Sequence, residues 1–157
     1  MARLYVVQAQ PNPPGRDTVS PGRATNDQLN REWVELEAIE GNRDVAGDEV
    51  LQLTFSPRCE VTGSDVLIKF GSGTLNQGNR IRLHTGSGTA GWEGNIFLMY
   101  LGRGWYIWNN RCGDRVTTRN AGTIQDSAGY APNPPEGVLV RVAGTDRLVP
   151  AHLAAYR

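Results

Sequence analysis

A chain of 157 residues suffices for one compact domain with a real core and is tight for two. Sixteen basic and sixteen acidic residues cancel, which excludes global electrostatic attraction to nucleic acid or an anionic membrane and leaves that role to a local patch. Nineteen Gly, nine Pro and few long polar helical runs exclude a helical bundle and favour short strands joined by turns.

Residues 4–8 have strand composition, but this apolar run is far too short for a signal-peptide core or a membrane-spanning helix. The expectation is a soluble cytoplasmic protein without membrane insertion, extracellular only if an export signal has been removed. Pro11, Pro13, Pro14 and Pro21 then enforce an extended arm, expected along the domain surface. Its Asn12-Pro13-Pro14 recurs as Asn133-Pro134-Pro135, either by coincidence of composition or because both segments bracket one edge. Residues 31–37 alternate, sending Val34 and Leu36 inward and Trp33, Glu35 and Glu37 outward. In residues 50–55 the pattern offers Leu51, Leu53 and Phe55 to one face. Residues 66–70 form a further strand, and a turn over 75–79 leads into 80–84, where Ile81 and Leu83 face the core and Arg80, Arg82 and His84 face out. The Gly/Ser/Thr-rich residues 85–94 read as a mobile surface loop. Residues 96–101 and 104–108 then read as a hairpin across Gly102-Arg103.

The best landmark is Trp108-Asn109-Asn110-Arg111-Cys112-Gly113-Asp114, in which Asn, Gly and Asp shape a tight turn and Trp108 anchors the core. Residues 115–119 follow as a strand with Val116 and Thr118 inward and Arg115, Thr117 and Arg119 outward. Residues 120–122 turn into strands at 123–130 and 138–142, and residues 150–156 make a short helix with Pro150 in its first turn. About nine short strands and almost no helix mean an all-β antiparallel sandwich. Its expected organisation is a Pro-rich arm with a short strand over 1–25, the sandwich over 26–142, and a tail over 143–157.

Several segments together resemble the lamin-tail domain, the immunoglobulin-like module of nuclear lamins that also occurs in bacterial proteins. They are Asn30-Arg31-Glu32-Trp33-Val34-Glu35-Leu36, Val45-Ala46-Gly47, Leu75 to Leu83, Trp108-Asn109-Asn110 through Gly113-Asp114-Arg115-Val116, and Asp126-Ser127-Ala128-Gly129-Tyr130. The chain departs from the family pattern in having Asp48-Glu49 where a Trp usually follows the Gly, and Leu75-Asn76-Gln77-Gly78 in place of a Leu-x-Pro-Gly turn. The resemblance implies an immunoglobulin-like β-sandwich, a bacterial stand-alone member acting as a non-enzymatic binding or scaffolding module. Trp33, Trp108, Asn109, Asn110, Gly113 and Asp114 serve as its structural signature. No heptad repeat supports filament assembly.

Chemistry is sparsely provided. A Cys/His nucleophilic pair needs Cys59 or Cys112 beside His84 or His152, and neither cysteine sits in a nucleophile-elbow context, so a hydrolase with an unrecognised site is a minor alternative. The cysteines pair in an oxidising compartment and stay reduced in the cytosol, and the sequence leaves this open. No metal-ligand spacing is present, Asp114 with Asn109 and Asn110 suits turn capping better than Ca²⁺, and no cofactor is expected. If the strands at 80–84 and 115–119 share a sheet, Arg80, Arg82, His84, Arg115 and Arg119 form a face for DNA or another polyanion, unless Glu35 and Glu37 neutralise it. Trp92, Trp105 and Tyr106 form a second candidate surface, suited to a protein partner. Sheet edges or the arm offer a route to a homodimer.

Overall fold

The computed structural model describes residues 4–16, 23–143 and 146–154. Along them run β1 (Leu4–Gln10), α1 (Asn26–Leu29), β2 (Trp33–Ala38), β3 (Arg43–Asp44), β4 (Asp48–Phe55), β5 (Val61–Lys69), β6 (Thr74–Leu75) and β7 (Arg80–His84). They continue with β8 (Gly91–Glu93), β9 (Ile96–Tyr100), β10 (Asp114–Asn120), β11 (Thr123–Tyr130), β12 (Val140–Val142), β13 (Leu148–Pro150) and α2 (Ala151–Ala154). A seven-stranded sheet, ordered β13-β12-β1-β2-β7-β9-β8, packs against a four-stranded sheet, β11-β10-β4-β5, and β3 pairs with β6 beside them. The molecule is thus the all-β sandwich expected, antiparallel except where β7 runs parallel to β9. β1, from the segment expected as an arm, lies inside the large sheet between β12 and β2, and β13 of the expected tail forms its edge. Pro21 and the part of the expected helix beyond Ala154 lie outside the described residues.

Alternation sets the core. Val34 and Leu36 of β2 and Ile81 and Leu83 of β7 meet Val50 of β4, Val116 of β10 and the ring of Trp108, which is only 1% exposed. β1 adds Leu4, Val6 and Ala9, with a bulge at Val7 shifting its register on β2. The two sheets are also tied by polar bonds, since Thr118 Oγ1 donates to the Leu4 carbonyl at 2.7 Å and Asp126 Oδ2 accepts from Val6 N–H at 2.8 Å.

Four expectations need correction. In β4 it is Val50 that joins the main core cluster, while Leu51 is buried as expected but outside that cluster and Leu53 and Phe55 are only half-buried. The next inward position, Gln52, is polar because its Nε2 donates to the Ile107 carbonyl and to Asp114, so hydrophobic alternation points to the wrong face. Residues 85–94 are no loose loop. Thr85 is fully buried, Ser87 is bracketed by the Asn26 and Asn30 amides, and Gly91–Glu93 is strand β8. The hairpin is therefore β8–β9, while residues 104–108 contain no strand and carry the chain across to the second sheet. Nor does the Pro-rich segment lie on the surface. Pro11, Asn12 and Pro13 are buried, because Asn12 Nδ2 donates to the Pro134 carbonyl and the Asn12 carbonyl accepts from Gly137 N–H, so the two Asn-Pro-Pro segments meet.

The landmark turn is built as expected around Asp114. Gly113 has φ 73°, and an added Cβ would stand 2.5 Å from the Tyr130 carbonyl oxygen, so only glycine fits. Cys112 bonds to Cys59 in the β4–β5 turn, clamping the crossing segment to the small sheet. On the open side of that sheet, β5 is an edge whose register shifts twice against β4, and such bulges discourage edge-to-edge pairing.

Because the cysteines are separated by 53 positions, cross-linking removes about 4 kcal/mol of unfolded-chain entropy in the loop-closure picture. Urea unfolding with and without reductant is expected to show a loss of about 2–4 kcal/mol on reduction. Cys112→Ser should reproduce it, and an unchanged midpoint would mean that the clamp does not constrain the unfolded chain.

Candidate functional site

The outer face of the seven-stranded sheet is assembled from cross-strand neighbours. Arg141, Gln8, Glu35 and Arg82 fall in register across β12, β1, β2 and β7. Glu35, expected on the outward face, is fully buried under its partners. Its Oε1 accepts from Arg80 Nη1 at 2.7 Å and Gln8 Nε2 at 3.1 Å, and its Oε2 from Arg82 Nε at 2.8 Å. Arg80 Nε also donates to Glu37 at 2.8 Å, and the Arg82 guanidinium lies 4.3 Å from the centre of the Trp33 ring. Burial of a carboxylate demands such compensation, and two guanidiniums supply it. The carboxylates therefore occupy the Arg80 and Arg82 groups that a polyanion would need. His84 is committed as well: its Nδ1 lies 2.7 Å from the Asn30 carbonyl, its ring stacks on Tyr100 at 5.0 Å, and burial lowers its pKa.

Arg115 and Arg119 belong to β10, which pairs with β4 and β11 in the other sheet. The five-residue basic face therefore does not form, because β7 and β10 contribute outward side chains to opposite sides of the sandwich. Arg119 Nε donates to Glu49 at 3.0 Å, a neutralising pair of its own. Arg115 Nη1 donates to the Ser127 hydroxyl at 3.1 Å.

The aromatic candidates also separate. Tyr106 lies beneath Arg16, whose guanidinium carbon is 4.8 Å from the ring centre, and Trp105 on the same crossing segment is 59% exposed. Trp92 of β8 is 52% exposed and meets Phe97 edge-on at 5.2 Å. With Phe97, Met99, Ile81, Phe70 and Leu75 it lines an apolar cleft of about 210 Å³, to which neither Trp105 nor Tyr106 contributes. The cleft lies between side chains of β7, β8 and β9 and the segment that runs from Phe70 through β6.

Sequence reasoning missed a buried ion pair. Glu32 is fully buried and pairs with Arg16, and its Oε1 accepts from Thr85 Oγ1 at 2.6 Å and Ile107 N–H at 2.9 Å. Arg16 further donates to the Pro11 carbonyl at 2.8 Å and the Trp108 carbonyl at 2.5 Å. Burial lifts the Glu32 carboxyl to about 7, against the opposing pull of Arg16 and the hydrogen bonds. No local signal marks the pair, since its partners are 16 positions apart and one lies in a Pro-rich arm.

Catalytic and metal chemistry gain little from this arrangement. The cysteines are joined to each other, so neither offers a thiolate. Both Asp114 oxygens face N–H donors from Leu53, Asn109, Arg115 and Gln52, a setting that suits a turn and opposes a cation. Among the described residues no group of three or more His, Cys, Asp or Glu side chains is placed to hold a metal, and no helix is long and apolar enough to cross a membrane. No protein-family model matches the sequence, and no curated protein matches it.

Glu32 gives a pH dependence of definite sign. Between the ordinary value of 4.5 and about 7 the folded protein retains a proton that the unfolded chain releases, so stability falls as pH rises through that window. A shift of this size corresponds to on the order of 3 kcal/mol. Unfolding measured from pH 4 to 8 is expected to show Glu32→Gln losing this downward component, and parallel wild-type and variant curves would contradict the assignment.

Proposed function

We propose that the chain is a non-enzymatic binding module of the lamin-tail type, with a protein partner engaged at the apolar cleft beside Trp92. The resemblance in residues 26–130 and the β-sandwich support the family reading. One observation carries the site: a half-exposed Trp on an edge strand forms the wall of an open apolar cleft. Exposed aromatics beside a pocket are the usual anchors of protein interfaces. At about 210 Å³ the cleft lies below the 300–1,000 Å³ of small-molecule sites and suits an inserted side chain. Polyanion binding is the weaker reading, because carboxylates occupy Arg80, Arg82 and Arg119. A disulfide persists in oxidising compartments, so the Cys59–Cys112 bond favours the extracellular setting over the cytoplasmic one.

Selection of displayed random peptides against the folded protein tests the reading. The expected consensus carries one large apolar residue, with affinity at least tenfold weaker for Trp92→Ser and Met99→Arg and unchanged for Arg82→Gln. Peptides indifferent to Trp92 and Met99 would sink the cleft. An acidic consensus that depends on Arg82, or heparin retention that weakens with salt and is lost in Arg82→Glu, would instead establish the polyanion reading.

A further inference from the structure

A second cavity, of about 580 Å³, opens on the other side of the sandwich, where β10 and β11 meet the segment leading into β13. Gly129 N–H donates to the Asp146 carbonyl at 3.0 Å, so strands of both sheets share this wall. Its apolar lining comes from Leu53, Phe55, Leu148 and Val149, with Cys112 of the disulfide beside them. Two arginines, Arg115 and Arg147, are among the residues lining the same space.

These arginines differ from four others described above. Arg16, Arg80, Arg82 and Arg119 each pair with a carboxylate, whereas Arg115 and Arg147 make no ion pair among the described residues. Arg115 is nonetheless held in place. Its Nη1 donates to Ser127, and its guanidinium lies so close over Gly129 that a Cβ there would stand 3.2 Å from Nη2. A fixed fork of donors without a carboxylate is preorganised for an acid from outside. The other charged groups on the lining are Asp146, exposed on the same wall, and Asp114, whose oxygens are taken by N–H donors. Two arginines stand against two carboxylates, Asp146 and Asp114, so the lining carries no net charge, and a neutral lining with one free fork of donors suits a monocarboxylate better than a phosphate dianion. The volume falls within the 300–1,000 Å³ of small-molecule sites.

We propose that this cavity binds a small monocarboxylate with an apolar tail, its carboxylate on Arg115 and Arg147 and its tail against Leu53, Phe55, Leu148 and Val149. The site is independent of the Trp92 cleft.

Sodium octanoate, octanamide and inorganic phosphate, titrated separately and followed by calorimetry and backbone amide shifts, test the assignment. Octanoate is expected to saturate one site, with shifts centred on Arg115, Gly129 and Arg147, and to bind at least tenfold more tightly than octanamide. Arg147→Gln, a change at an exposed side chain, and Arg115→Gln should each weaken octanoate at least tenfold, while Trp92→Ser leaves it unchanged. Equal binding of octanoate and octanamide would overturn the role of the guanidiniums. Phosphate binding more tightly than octanoate would overturn the ligand class. Octanoate lost in Trp92→Ser yet retained in both arginine variants would move the ligand to the other cleft and overturn the site, as would absence of binding.

Discussion

The carboxylate of Asp114 holds together one end of the sandwich. It lies where the ladder between β4 and β10 stops and accepts from the Leu53 N–H, which has no strand partner there. It also accepts from Asn109 N–H and Gln52 Nε2, so one buried group ends a ladder, shapes a turn and fixes an inward amide. Burial raises its pKa while these donors oppose the rise, the balance expected of an acid that must be satisfied in place. The neighbouring Asn109 carbonyl accepts from the Tyr130 hydroxyl at 3.1 Å, and its side chain accepts from Cys112 N–H at 2.8 Å. Trp108, the disulfide and Arg115 all take their places from this turn.

Glu32 and Glu35 are buried by different means. Glu35 lies on a sheet face, where cross-strand register delivers Arg80 and Arg82 from the adjacent strand. Glu32 precedes that strand, and its partner Arg16 comes from the segment following β1. The first pairing follows from sheet geometry alone. The second requires the Pro-rich segment to fold back, and the contact between Asn12 and Pro134 fixes that path. Breaking either pair would leave a buried charge uncompensated, which explains why a Pro-rich stretch is as well packed as a strand.

Legibility in the sequence tracked how local each determinant is. The inward positions of Val34, Leu36, Ile81, Leu83, Val116 and Thr118 were readable because alternation alone decides them. In β4 alternation misled, since Gln52 faces inward to satisfy partners about 60 positions away in sequence, a pairing without a period. The expected hairpin failed for a related reason: the aromatic run at 104–108 packs as an irregular crossing, with Trp108 in the core, while β9 finds a parallel neighbour in β7. Arg80, Arg82, His84, Arg115 and Arg119 were correctly read as outward, but sheet membership depends on topology, and two sheets divide them. Of the candidate aromatics, only Trp92 lines the apolar cleft.

Both cavities lie beside edges of the two sheets. Seven strands pack against four, with β11 at one edge of the small sheet reaching β13 at the edge of the wide one. Beside β8 and β9 the segment from Phe70 to Leu75 and the apolar side chains of the wide sheet leave a cleft open at Trp92. Beside β11 and β13 the chain returns through Asp146 to touch β11 at Gly129 and leaves a larger cavity carrying Arg115 and Arg147. On the broad face of the wide sheet the opposite holds, because cross-strand register brings each carboxylate to a guanidinium. The open apolar and unpaired basic surface among the described residues therefore lies beside the edges of the sheets rather than on the charged face that residue type alone singles out.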